Sequence, residues 1–138
     1  MRFYTSDTHF GHKNIIRYCN RPFKDVDHMN EALIQNWNEI VSPEDEVYHL
    51  GDVALGPWDK WDSILTRLNG TIHLVIGNHD RIFSLEKERQ REKFYPEYAK
   101  WFDTMSDHIT NFPLADTLVN LSHFPYDGDS HEGDRYKE

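Results

Sequence analysis

The spacing of apolar residues changes several times along the chain. Residues 2–6 form a short β-prone run that stops at Asp7. Across residues 27–41, Met29, Leu33, Ile34, Trp37, Ile40 and Val41 recur at the spacing of an amphipathic helix. Asp25 or Asp27 can cap that helix, and Ser42-Pro43 can end it. Residues 46–50 predict a second strand, followed at once by Gly51-Asp52. Trp58, Trp61, Ile64, Leu65 and Leu68 predict a second amphipathic helix closed by Asn69-Gly70. Residues 71–76 are an apolar, β-branched strand running into Gly77-Asn78-His79-Asp80. Residues 84–93 are highly charged and read as a solvated helix or an excursion. Residues 95–102 are aromatic and give no clear period. Residues 103–112 and 117–121 read as a pair of strands, the second leading into Ser122-His123. Residues 7–26 read mostly as loop, and the residues from 127 to 138 as a loop or disordered tail.

This order of strands and helices predicts one α/β (α+β layered) domain over residues 1–138. The polar clusters carry more information than the class. Asp7, Asp52, Asn78 and His123 each stand just beyond the end of a predicted strand. Open sheets build their sites there, because the strand end is rigid and the loop after it is free to vary.

Composition then removes several functions. The 14% of aromatic residues in 138 positions argues for a folded core rather than a disordered chain. A net charge of -9 repels a phosphate backbone, so long nucleic acid is disfavoured as a partner. An acidic protein that handles phosphate needs local positive charge, and a bound cation supplies it. Cys19 is the single cysteine, which rules out an intrachain disulfide and fits a reducing compartment. No apolar run suits a signal peptide or a membrane span, so the expectation is a soluble, cytoplasmic protein.

The candidate chemistry lies in Asp7-Thr8-His9, Gly51-Asp52, Gly77-Asn78-His79-Asp80 and Ser122-His123. If Asp7 and His9 continued a strand, their side chains would share a face and could grip one ion. Asp52 has two oxygens and could bridge two ions, while Asn78 offers an amide oxygen and His123 an imidazole. Mixed oxygen and nitrogen ligands suit Mn²⁺, Fe, Zn²⁺ or Ni²⁺. Each residue alone has an ordinary explanation: Asp7 and Asp52 as turn residues, Asn78 in a tight turn, the histidines as satisfied polar groups. Four such clusters in order, each at a strand end, outweigh those readings together.

These clusters resemble the signature of the calcineurin-like metallophosphoesterases: Asp-x-His, Gly-Asp, Gly-Asn-His-Asp/Glu, a later His and a final Gly-His-x-His. The opening segment from Ser6 to Ile16, with Asn20-Arg21-Pro22-Phe23 after it, is similar to a small bacterial and phage subgroup. The resemblance implies a β-sandwich flanked by helices, with two divalent metal ions, Mn²⁺ the leading choice. It implies that Asp7 and His9 bind the first ion, that Asp52 bridges both, and that Asn78 and His123 bind the second. Ions about 3.5–4 Å apart would share a hydroxide that attacks phosphorus, with His79 beside the leaving group. Gly51 and Gly77 would let the turns pass close to the ions. Asp80 is expected to orient His79, since a carboxylate fixes a ring's tautomer and direction. His12, Asn14 and Arg21 are weaker candidates for contacting substrate. His28, His49, His73 and His108 follow no such pattern and read as structural or surface residues. His49 stands apart because it lies three residues before Asp52 near a strand end. Trp58 and Trp61 are expected in the core, with the site rim as the alternative for Trp58.

The closing Gly-His-x-His has no match after His123, so the expectation is a chain that stops short of it. His131 is too early and too isolated to replace it. The substrate expectation is a small phosphodiester, a cyclic nucleotide or nucleotide ester among them, with no membrane partner. A phosphomonoesterase, a protein or nucleotide phosphatase, and a metal-binding domain without turnover stay open as alternatives.

Overall fold

A computed structural model describes residues 1–83 and 88–125. The expected tail over residues 127–138, His131 within it, and residues 84–87 lie outside the described residues. The chain forms β1 (Arg2–Thr5), α1 (Lys13–Tyr18), α2 (Val26–Ile40), β2 (Glu46–His49), α3 (Trp61–Leu65), β3 (Thr71–Val75), α4 (Glu88–Tyr98), β4 (Thr104–Ser106), β5 (Ile109–Leu114) and β6 (Thr117–Leu121). Among these described residues no helix is long and apolar enough to cross a membrane.

Strands β1 to β4 make one parallel sheet whose order is the chain order, while β5 and β6 form a separate antiparallel hairpin. Each parallel connection therefore needs a crossover, and helices supply it. Side chains alternate across the sheet. From β3 and the residue after it, Ile72, Leu74 and Ile76 enter a core with Ile34, Trp61 and Tyr98 of the helices. Val75 faces the other way and packs with Phe112 and Leu121 of the hairpin. The chain is thus layered as helices, parallel sheet and hairpin. The sheet-on-sheet half of the expected architecture is a two-stranded flap over the parallel sheet.

Helix α2 follows its pattern closely. The Asp25 side chain accepts the His28 backbone N–H at 2.8 Å, and Met29 and Ile34 are buried. A carboxylate there satisfies one of the helix's orphan donors. Trp58 to Lys60 form a single 3₁₀ turn that leads into α3. Trp61 is buried as expected, whereas Trp58 is only partly buried against the same cluster.

Three expectations need correction. Residues 7–26 contain α1, a helix of 6 residues in which Ile15 is the buried side chain. Two turns with one inward residue leave no period to detect. Residues 103–112 are two strands: β4 pairs parallel with β3, and β5 turns back to pair with β6. The aromatic stretch from Tyr95 belongs partly to α4, with Pro96 inside the helix, where proline ordinarily signals a boundary.

Candidate metal centre

Asp7, Asp52, Asn78 and His123 do stand just past β1, β2, β3 and β6, and the ladder continues beyond the strands to hold the first two loops together. Asp7 N–H donates to Gly51 O at 2.9 Å, His9 N–H to Asp52 O at 3.0 Å and Phe10 N–H to Val53 O at 2.9 Å. Asp7 and His9 are not strand residues, however. Asp7, His9 and Asp52 all have left-handed backbones, with φ of 53°, 52° and 56°. Asp and His tolerate that region better than most residues, and such strain clusters where function requires it. Convergence of Asp7 and His9 therefore comes from two left-handed turns, which period-two reasoning could not foresee.

Asp52 is at the centre. Its Oδ1 accepts the His79 backbone N–H at 2.9 Å. Its Oδ2 lies 3.5 Å from His9 Nε2 and 3.5 Å from His123 Nε2, equidistant from the two imidazole nitrogens. His9 Nε2 is also 3.7 Å from Asp7 Oδ1. Asp7, Asp52 and His123 each present one ligand atom within 4.8 Å of the others.

The tautomer of His123 can be deduced. Its Nδ1 sits 2.7 Å from Leu50 O, which only accepts, so Nδ1 carries the proton. With Nδ1 so engaged, Nε2 faces Asn78 Oδ1 at 3.0 Å and Asp52 Oδ2 at 3.5 Å. When Nε2 is bare, three electron-pair donors face one another there. A cation is the partner that such a set lacks, and a carbonyl behind the ring is how metal-binding histidines are oriented. His9 fits the same logic: burial holds its pKa down to about 4 against the pull of Asp52, so its imidazole is neutral. The donor set suits divalent ions of mixed oxygen and nitrogen preference.

Space explains the two glycines. A Cβ on Gly77 would lie 2.3 Å from Asp52 Oδ1, and one on Gly51 would lie 2.6 Å from His123 Nδ1. A side chain at Gly77 would displace Asp52, and one at Gly51 would displace His123 or the Gly77 backbone.

Asp80 departs from expectation. Its carboxylate accepts backbone N–H groups from Gly77 at 2.7 Å, Asp52 at 2.9 Å and Val53 at 3.0 Å. It fastens the Asp52 loop to the Gly77 loop rather than orienting the His79 ring. Burial pushes its pKa up to about 6, while those three N–H groups pull it down. Arg21 departs too. Its two terminal nitrogens donate to Thr8 O at 2.8 Å and Asp7 O at 2.7 Å. The guanidinium braces the left-handed loop from outside and is turned to carbonyls, not to substrate.

The remaining candidates divide. His79 is exposed, and its ring centre lies 5.5 Å from that of His9. His12 joins the cluster, with Nδ1 3.0 Å from His9 Nδ1 and its ring 6.1 Å from His79. Burial and the neighbouring His79 and Arg21 lower its pKa. Asn14 is exposed on α1. His49, expected as a structural or surface residue, is buried, with Thr8 and Gly51 bonded to its ring. The available signal was its place as the last residue of β2, three residues before Asp52.

A strand-end cluster of carboxylates, imidazoles and an amide on a layered α/β sheet is a donor set suited to divalent cations. The chain belongs to the calcineurin-like phosphoesterase family, whose sequence profile matches residues 3–137. That family is one of metal-dependent phosphoesterases. Two Gene 66 proteins of Mycobacterium phages are similar and place the chain with the small phage and bacterial members. The one from phage L5 is 31% identical over 99% of this chain and 69% of its own length. The one from phage D29 is 32% identical over the same shares. An uncharacterised protein of Methanocaldococcus jannaschii is 53% identical over 55% of this chain, and the match spans 44% of that protein. A crystal structure of a protein of unknown function from Aquifex aeolicus superposes with a TM-score of 0.72 at 30% identity, covering 99% of this chain and 66% of that one.

Proposed function

We propose that the chain hydrolyses small phosphodiesters, nucleotide esters among them, with two divalent metal ions, Mn²⁺ foremost. The observation that carries this reading is the position of Asp52 Oδ2, 3.5 Å from the imidazole nitrogens of both His9 and His123. Asp7, His9 and Asp52 would hold one ion, and Asp52, Asn78 and His123 the other. Bound divalent cations supply Lewis acidity, drawing charge from the phosphoryl group and lowering the pKa of water. His79, exposed beside His9, would give a proton to the departing oxygen. His12 lines the same side.

Charge favours a diester. The chain carries a net charge of -9, and Arg21 is occupied with backbone carbonyls. A phosphomonoester brings close to two negative charges near neutral pH, and a diester only one. Tyr18 adds an exposed aromatic face, 64% accessible, whose ring centre is 6.4 Å from that of His12. An aromatic leaving group or nucleobase has a surface to stack on there.

A bis-aryl phosphodiester and the matching monoester, compared with Mn²⁺ present, test the reading. Wild-type protein is expected to prefer the diester. Asp52→Ala is expected to lose more than the about 10–100-fold that follows loss of a residue merely supporting a ligand. Undiminished turnover by Asp52→Ala protein would end the two-metal reading, and a preference for the monoester would reassign the substrate.

A further inference from the structure

His49 ends β2 with a side chain only 1% exposed. Its ring lies parallel to that of Trp37 on α2, with centroids 6.4 Å apart and planes inclined by 20°. Its two nitrogens reach in different directions. Nε2 is 2.9 Å from Thr8 Oγ1, and Nδ1 is 3.2 Å from the Gly51 backbone nitrogen.

Both proton positions follow from the partners. Thr8 has one hydroxyl proton, and it goes to Val53 O at 2.7 Å. The hydroxyl must therefore accept from His49, so Nε2 carries the hydrogen. Gly51 N–H can only donate, so Nδ1 is bare. A single neutral tautomer satisfies every group, with no donor facing a donor.

The partners make this bond pattern consequential. Thr8 stands between Asp7 and His9, both of which are left-handed. Gly51 directly precedes Asp52 and has a φ of 99°. Val53, which receives the Thr8 hydroxyl, follows Asp52. His49 thus connects the Asp7–His9 loop to the Asp52 loop by side-chain bonds, in addition to their backbone ladder.

We propose that His49 is a positioning residue that sets the spacing between the Asp7–His9 loop and Asp52, and through it the affinity of the site for divalent cations. The affinity half of this rests on the metal reading above; the spacing half does not. Ligand-supporting bonds of this kind act at one remove, by holding atoms where the ion needs them.

The ring can be dissected by substitution. Asn places an acceptor near the Nδ1 position but has no donor that reaches Thr8. Thr8→Val removes the same bond from the half-buried partner. In titration calorimetry of the whole chain with Mn²⁺, His49→Asn and Thr8→Val are each expected to weaken binding about 10–100-fold. The double variant is expected to fall little below Thr8→Val, because that change already removes the His49 bond together with the Val53 bond. Ile64→Val, a core change away from the site, serves as the reference and is expected to lower thermal stability without moving the affinity.

A second readout needs no metal. In chelator-treated protein, amide NMR signals of His9, Gly51 and Asp52 are expected to shift in both variants, while those of Ile72 and Leu74 hold. Wild-type affinity in both variants would overturn the role in cation binding. Unmoved site amides would overturn the positioning itself. If wild-type protein takes up no Mn²⁺, the metal reading fails, and the amide comparison still decides the role of His49. Should His49→Asn not fold, Thr8→Val alone carries both tests.

Discussion

Asp80 and Arg81 are neighbours in sequence and belong to two regions that hold themselves together by different means. The Asp80 carboxylate is buried at the strand ends, where it accepts three backbone N–H groups at 2.7–3.0 Å. The Arg81 guanidinium lies on the helix side over the rings of Trp58, Trp61 and Phe94, at 5.3, 5.7 and 5.8 Å from their centres. One of its nitrogens donates to Gly56 O at 3.2 Å, and its buried Nε has no hydrogen-bond partner among the described residues. The strand-end region is fixed by directional bonds, which hold particular atoms in place. The aromatic region is held by contact area, which is non-directional and spread over many neighbours. Damage should therefore spread differently: loss of area lowers stability, and loss of a bond at the strand ends also moves ligands.

The largest expected effect is in the aromatic region. Trp61 is 1% exposed, and Trp61→Ala is expected to cost about 3–5 kcal/mol of unfolding free energy by urea titration. Mn²⁺ affinity of the folded protein should hold; a clear fall would mean that the two regions are not separable. Asp80→Asn should cost less, about 1–3 kcal/mol, because one amide hydrogen pair would face backbone donors. Here affinity should fall together with stability, since the Asp52 and Gly77 loops lose their fastening. Unchanged affinity would reduce Asp80 to a packing residue.

The gentlest probe of the comparison is pH. Burial holds the His49 pKa down to about 3, well under that of an unfolded histidine. The unfolded chain therefore binds a proton that the folded one refuses. The stability this histidine contributes is complete above about pH 6.5 and is lost as pH falls toward its folded value. Unfolding of chelator-treated protein should weaken by about 1.4 kcal/mol per pH unit on that account between pH 6 and 4. His49→Asn should remove that one-proton share of the slope, leaving the like share of His9 and the opposing share of Asp80, and Trp61→Ala should leave the slope intact. An equal slope in His49→Asn would show that the acid sensitivity lies elsewhere.

Strand ends were legible in the sequence because β3 and its neighbours are short apolar runs that stop at glycine or aspartate. The residues gathered there were legible for the same reason. What stayed hidden depends on bonds between distant segments. The guanidinium of Arg21 reads as a phosphate ligand until the carbonyls of Asp7 and Thr8 are seen against it. Asp80 follows His79 directly, which suggests a pair, yet its oxygens reach back 27 and 28 residues to Val53 and Asp52. His49 has no neighbour in sequence that reveals Thr8, which lies 41 positions away. Helix α1 was missed for a different reason, since one inward residue in six sets no period.

The left-handed backbones at Asp7, His9 and Asp52 also act as a filter on which amino acids those places accept. Asparagine adopts that conformation nearly as readily as aspartate, whereas alanine and the β-branched residues resist it. Exchanging Asp52 for Asn would thus remove a charge while leaving the chain's path undisturbed, and exchanging it for Val would disturb both. For any mutational scan of this protein, intolerance at these three positions combines a conformational demand with a chemical one. Only the comparison of asparagine with larger changes tells the two apart.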